Sequence, residues 1–188
     1  MIDIGIIGYG EIGQALEKCY LNNSQYKVYI LDTYKNIHQL KPGVEVLNIC
    51  IPFKTQEDFI NDVSSYIIEY KPKYTIIHST VTPGTTKKLI ELTNHNIVHS
   101  PIRGVHPNLY EGLKTFIKYI GGEDEYTVEQ IESHYKSLGI KYETFSDSTT
   151  TELAKILSTT YYGMCIEFHH DINTLCNKFG VKFEEVAP

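Results

Sequence analysis

Residues 4–13 read Ile-Gly-Ile-Ile-Gly-Tyr-Gly-Glu-Ile-Gly, an apolar run passing directly into three glycines spaced G-x-G-x-x-G at Gly8, Gly10 and Gly13. In that spacing the first glycine permits a tight turn, the second lets backbone approach a pyrophosphate, and the third lets a helix pack closely on the strand. The helix that follows aims its unpaired N–H groups and the positive end of its dipole at the phosphates. A second apolar run, 26–31, ends at Asp32, about 20 residues past the last glycine, where a ribose-binding carboxylate belongs. The two signals predict a dinucleotide site built on Gly8, Tyr9, Gly10, Glu11, Ile12, Gly13 and Asp32.

Asp32 also bears on which dinucleotide. A carboxylate accepts hydrogen bonds from a free ribose hydroxyl and repels a 2′-phosphate. Lys35 offsets part of that repulsion, but no Arg stands beside Asp32, so the expected cofactor is NAD. The 188 residues suit one domain, or one domain and part of another. A hydrophobic content of 41% with 21% charged residues describes an ordinary globule with a sizeable core. The net charge of −6 offers no basic footprint for nucleic acid. No apolar run approaches a membrane span and the first residues already read as strand, so a cytoplasmic protein without membrane contact is expected. The four cysteines show neither C-x-x-C nor zinc spacing, which predicts reduced thiols and no metal.

Further along, 44–51 reads as a buried strand closed by Pro52, and 56–70 has a helical apolar period. Strands are predicted over 74–78, 97–99, 118–120 and 141–145, and helices over 85–92 and 126–138. Alternating strands and helices imply an α/β fold of Rossmann type, a doubly wound, mainly parallel sheet whose ligands bind beyond the strands' C-terminal ends. At those ends stand Pro52, Ser79 and Thr80, then Ser100 and Pro101. Arg103 and His106 follow in a proline-bearing loop, as candidates for gripping a substrate carboxylate or phosphate; an ordinary surface ion pair is the competing role for Arg103. His78 and His99 lie just inside strand ends, where packed, hydrogen-bonded histidines are expected rather than metal ligands.

From 151 to 179, Leu153, Leu157, Thr160, Met164, Phe168, Ile172, Leu175 and Phe179 recur every three or four positions. A helix of that length runs about 43 Å, longer than the first domain needs. The expected division is therefore a dinucleotide-binding domain over 1–148 and, over 149–188, a long helix. That helix either begins a truncated second domain or pairs with its copy in a homodimer.

With these blocks in view, the chain resembles the nucleotide-sugar dehydrogenases and, more broadly, the 6-phosphogluconate and 3-hydroxyacid dehydrogenase superfamily. The resemblance rests on Gly8-x-Gly10-x-x-Gly13, on Ser79-Thr80-Val81-Thr82-Pro83-Gly84-Thr85-Thr86, and on Ser100-Pro101. Thr151-Glu152-Leu153-Ala154-Lys155, continuing to Phe179-Gly180-Val181, adds a further block. It implies a catalytic role for Lys155 and a water-positioning one for Thr80. The family's Asn four residues after that Lys is Thr159 here, and its Glu after Ser-Pro is Ile102. The family's nucleophilic Cys lies in a segment beyond residue 188. Four-electron oxidation of an alcohol to an acid needs the thiolate and the carboxylate. The expected activity is therefore a simple NAD-dependent hydride transfer on a small alcohol or hydroxyacid. Lys155 would act as acid/base, with Thr159 one turn on sharing its oxygen. A solvated Lys on an exposed helix face is the other reading of Lys155. A non-catalytic NAD-binding or partner-subunit module is the alternative for the whole.

Overall fold

A computed structural model describes residues 1–104 and 107–187. Two compact units divide the chain, Met1–Leu153 and Ala154–Pro188. In the first, the opening apolar run forms β1 (Ile2–Ile7), and Gly8 turns the chain into α1 (Glu11–Leu21). Then come β2 (Tyr26–Asp32), the two-residue β3 (Ile37–His38) and β4 (Val46–Ile49). The helix α2 (Gln56–Tyr70) starts at Thr55, whose hydroxyl accepts from the Asp58 N–H, a side-chain cap of the favoured kind. Next are β5 (Tyr74–Ile77), α3 (Thr85–Thr93), β6 (Ile97–His99), α4 (Leu109–Thr115), β7 (Lys118–Gly122), α5 (Glu125–Ser137) and β8 (Tyr142–Phe145). The long α6 (Ser148–Phe179) begins in this unit and continues through the second, which ends with α7 (Phe183–Val186).

All eight strands join one sheet in the order β3-β2-β1-β4-β5-β6-β7-β8. The chain works outward from β1 to β3, then restarts at β4 and works outward the other way. The C-terminal ends of β1 and β4 therefore flank the topological switch point. Alternation along the strands sends Ile4, Ile6, Val46, Ile76, Val98 and Ile120 to one face, against α1, α4 and α5. Ile7, Leu47, Ile49 and Ile77 go to the other, against α2 and α3.

The expected α/β architecture is present, with two departures. The β2–β3 and β6–β7 pairings are antiparallel, so the sheet is mixed. The stretch expected as a loop before β7 contains α4, whose Leu109 and Leu113, four apart, are both buried. The strand expected over 44–51 is β4 only at Val46–Ile49, although the backbone of Val44, Glu45 and Cys50 on either side still bonds to neighbouring strands or their ends.

Candidate dinucleotide and substrate site

The three glycines meet three different surroundings. Gly8 sits at φ +90°, and a Cβ there would lie 2.6 Å from the Cys50 carbonyl oxygen across the switch point. At Gly13 a Cβ would come within 2.1 Å of the Gly8 carbonyl oxygen, so only glycine lets α1 seat on β1. Around Gly10 a Cβ would meet nothing within 4 Å, and no side chain caps α1 there. The space above Gly10 and the helix N-terminus is the geometry a pyrophosphate needs.

Asp32 closes the other side. Its Oδ2 accepts from the Tyr9 N–H at 2.6 Å and its Oδ1 from the Lys35 N–H at 2.8 Å. Burial raises the Asp32 pKa, but those N–H bonds and the Lys35 charge outweigh it and hold the carboxyl below its usual range. Asp32 is thus an anion that braces the glycine loop from the end of β2. The Lys35 ammonium bonds the Tyr9 carbonyl at 2.6 Å, and the Tyr9 hydroxyl bonds Glu17. Between the loop, Asp32 and α2 lies a cleft of about 730 Å³, lined by Gly8, Gly10, Asp32 and Pro52 with Tyr34 and Phe59 among others. That volume is of the size small-molecule sites show.

Toward β5 the Ser79 hydroxyl donates to the Ile51 carbonyl at 2.6 Å, tying that strand's end to the Pro52 loop. Thr80 beside it is exposed. His78 is buried, with Nδ1 2.9 Å from the Ser100 carbonyl and Nε2 2.9 Å from Asn48 Oδ1. Burial first, and the Lys118 charge second, push its pKa well below the ordinary value, so it is neutral. His99 is also buried, its Nδ1 2.8 Å from Thr151 Oγ1. Both histidines are packed and hydrogen-bonded, as their positions predicted. No group of three or more His, Cys, Asp or Glu able to hold a metal ion occurs among the described residues.

Arg103 is half-buried, donating to the Tyr119 hydroxyl at 2.8 Å with its guanidinium carbon 4.6 Å from that ring's centroid. It also donates to the Ile117 carbonyl at 3.5 Å. His106 lies outside the described residues. Lys155 and Thr159 are on α6 within the second unit. Lys155 is half-buried, and Thr159 is exposed with its hydroxyl donating to the Lys155 carbonyl at 3.1 Å. Of the residues expected to hold the dinucleotide, Gly8, Gly10, Asp32 and Pro52 line the cleft, while Lys155 and Thr159 belong to the other unit.

Three contributors had no role assigned from the sequence. Buried Glu152 accepts from the Gly84 and Thr86 N–H groups at 2.6 and 2.8 Å and from the Thr86 hydroxyl at 2.7 Å. It thereby caps α3 behind the Ser79–Thr86 block. Asn48 is a fully buried amide inside an otherwise apolar strand, donating to the Gly5 carbonyl at 3.1 Å. Lys118, only 3% exposed, is in phase with core-facing Ile120. A lysine at a core phase was the available signal.

No family model matches the chain. Over 110 residues, 56% of the chain, it is 33% identical to the UDP-N-acetyl-D-mannosamine dehydrogenase of Methanococcus maripaludis, with the match spanning 25% of that protein. The Methanocaldococcus jannaschii protein of the same name is 26% identical over 163 residues, 78% of this chain and 38% of its own length. Among solved structures, the UDP-D-ManNAc dehydrogenase from Pyrococcus horikoshii superposes with a TM-score of 0.78 at 20% identity, over 98% of this chain and 56% of that one. The matches thus span between a quarter and two-fifths of the two sequence relatives' lengths. By sequence and by fold the chain resembles the N-terminal part of the nucleotide-sugar dehydrogenases, the family read from its motifs.

Proposed function

We propose, from this kinship and from the cradle at the switch point, that the chain is an NAD-dependent oxidoreductase acting on the hydroxyl of a small or sugar-linked alcohol or hydroxyacid. The observation that carries the reading is the pairing of an open Gly10 with an anionic Asp32 already bonded to the Tyr9 N–H. The residues present fit the dinucleotide. Gly8, Tyr9, Gly10, Glu11, Ile12 and Gly13 offer backbone to its pyrophosphate, and Asp32 offers acceptors to its ribose. Pro52, Ser79 and Thr80, past the ends of β4 and β5, would line its nicotinamide end.

When bound, NAD supplies a hydride acceptor. The chain's own groups handle the proton and the orientation. Lys155 would accept the proton of the substrate hydroxyl as that alcohol is oxidised to a carbonyl. Thr159 steadies the same oxygen, and Arg103, fixed on Tyr119, turns its remaining donors to an anionic substrate group together with His106. The nucleotide-sugar substrates named for the relatives are candidates for this chain. Ile102 and Thr159, in place of the family's Glu and Asn, favour a two-electron transfer over a four-electron oxidation. The exposed apolar face of α6 supports a homodimer. The four free cysteines support a reducing, cytoplasmic setting.

Calorimetric titration with NAD, NADH and NADP tests the reading. Binding of NAD and NADH with NADP at least tenfold weaker is expected, and Lys155→Ala should keep that binding while abolishing NADH formation in an alcohol and hydroxyacid screen. Absence of binding by all three would overturn it.

A further inference from the structure

The antiparallel β7 has a consequence for the substrate end of the site. Every parallel strand of the central sheet ends at the functional edge, whereas β7 begins there. Its register pairs His99 with Gly121 and Val98 with Gly122. Lys118 and Tyr119 therefore lie beyond the end of β6, level with the segment 100–103. Both residues seize that segment. The buried Lys118 ammonium donates to the Ser100 carbonyl, and to the Pro101 carbonyl at 3.2 Å. The Tyr119 carbonyl accepts from the Ser100 hydroxyl at 2.5 Å, and the Tyr119 ring and hydroxyl hold Arg103. From the helix side, the Tyr135 hydroxyl donates to Ser100 Oγ at 2.9 Å. His78 Nδ1, at the end of β5, reaches the same Ser100 carbonyl.

We propose that Lys118 is a positioning residue: its buried ammonium fixes the 100–103 segment, which presents Arg103 and, on the NAD reading, would flank the nicotinamide and substrate end of the site beyond Ser79 and Thr80. The proposal rests on the NAD reading above and extends it to a residue that touches neither cofactor nor substrate. A single ammonium gathering two consecutive carbonyls holds the chain past the β6–β7 ladder, which stops at His99, where the Ser100 N–H still bonds the Ile77 carbonyl at the end of β5. Burial makes that hold strong, since a charge-assisted bond gains in a low-dielectric setting and water cannot replace it. Strands lie about 4.8 Å apart, and three spacings separate Asp32 on β2 from Ser79 past β5. The adenosine half of the cleft is therefore remote from Lys118, and only the nicotinamide half should feel its loss.

The test compares ADP-ribose, which lacks the nicotinamide, with NADH on the full chain, using Lys118→Met and Lys118→Arg. The Met variant should bind ADP-ribose within twofold of the parent and NADH at least tenfold more weakly. Hydrogen exchange should rise in the peptide covering 98–104 and not in the glycine loop. Arg, which keeps charge and donors, should restore most of the NADH affinity. Unchanged NADH binding by the Met variant overturns the proposal, as does an equal loss for both ligands, which is the signature of general destabilisation. If the Met variant does not fold, Lys118→Gln serves, retaining a donor without the charge. It should show the same selective loss in milder form, and an equal loss or none again overturns the proposal. Failure of the parent chain to bind ADP-ribose would instead sink the NAD reading itself.

Discussion

Gly10 and Gly13 belong to one motif but answer to different demands, and substitution separates them. An alanine methyl at Gly13 would fall 2.1 Å from the Gly8 carbonyl oxygen, backbone that cannot move without lifting α1 off β1. Overpacking of that kind costs about 1–3 kcal/mol, which in a chain of this size lowers the melting temperature by about 2–4 °C per kcal/mol. Gly10 has φ −75°, open to any residue, and space around it. Gly10→Ala should therefore melt within about 1 kcal/mol of the parent, yet place its methyl where the pyrophosphate approaches and weaken NAD by about tenfold, or 1.4 kcal/mol. Thermal melts and NAD titrations of the two variants check this. A Gly10→Ala protein with full NAD affinity would show that the phosphates do not lie over this loop.

Between elements, a multiply bonded tether is Glu152, the α6 carboxylate that caps α3. Both its oxygens face donors. Glu152→Gln keeps the shape but turns an NH₂ group toward an N–H, leaving a buried donor unmet. The expected loss is about 2 kcal/mol, or roughly 4–8 °C in melting temperature, read by calorimetry. A variant melting with the parent would mean that the cap is dispensable. The sequence hides this contact for a physical reason. The Thr-Glu-Leu-Ala-Lys block is legible as a motif, but the partners of Glu152 lie 66 and 68 residues away, and helix periodicity reports only which face is apolar. The direction of β7 is hidden likewise, since a short strand such as 118–120 reads the same whichever way it pairs. The glycine loop, Asp32 and α2 are legible because their determinants are local: a spacing, a strand end, and a cap with its helical period. A buried lysine at a core phase lies between these cases, visible as an anomaly but without a partner until the fold supplies one.

At the scale of the molecule, the second unit raises the remaining question of what covers it. Tyr161, Tyr162, Met164, Ile166, Phe168 and Phe179 are each between 60% and 74% exposed, and among the unit's described residues only Cys176 is buried. Of these, Tyr161, Met164, Phe168 and Phe179 recur on one side of α6, and an exposed apolar stripe of that kind marks an interface. The first unit has two cores of its own, one on each face of its sheet, whereas the second, taken by itself, has no comparable core to stabilise its helix. A second copy of the chain would supply one, since two identical helices can bury the same stripe against each other about a two-fold axis. Sedimentation equilibrium at micromolar concentration should then give twice the 21.5 kDa of one chain. Met164→Lys with Phe168→Lys, one helical turn apart on α6, sets four like charges facing one another across the proposed seam. The pair should shift the species to one chain's mass. Neither side chain is buried here, so the glycine cradle should keep its NAD affinity within about twofold. A parent that sediments as a monomer would remove the dimer from the proposed function and leave that apolar face to a different partner.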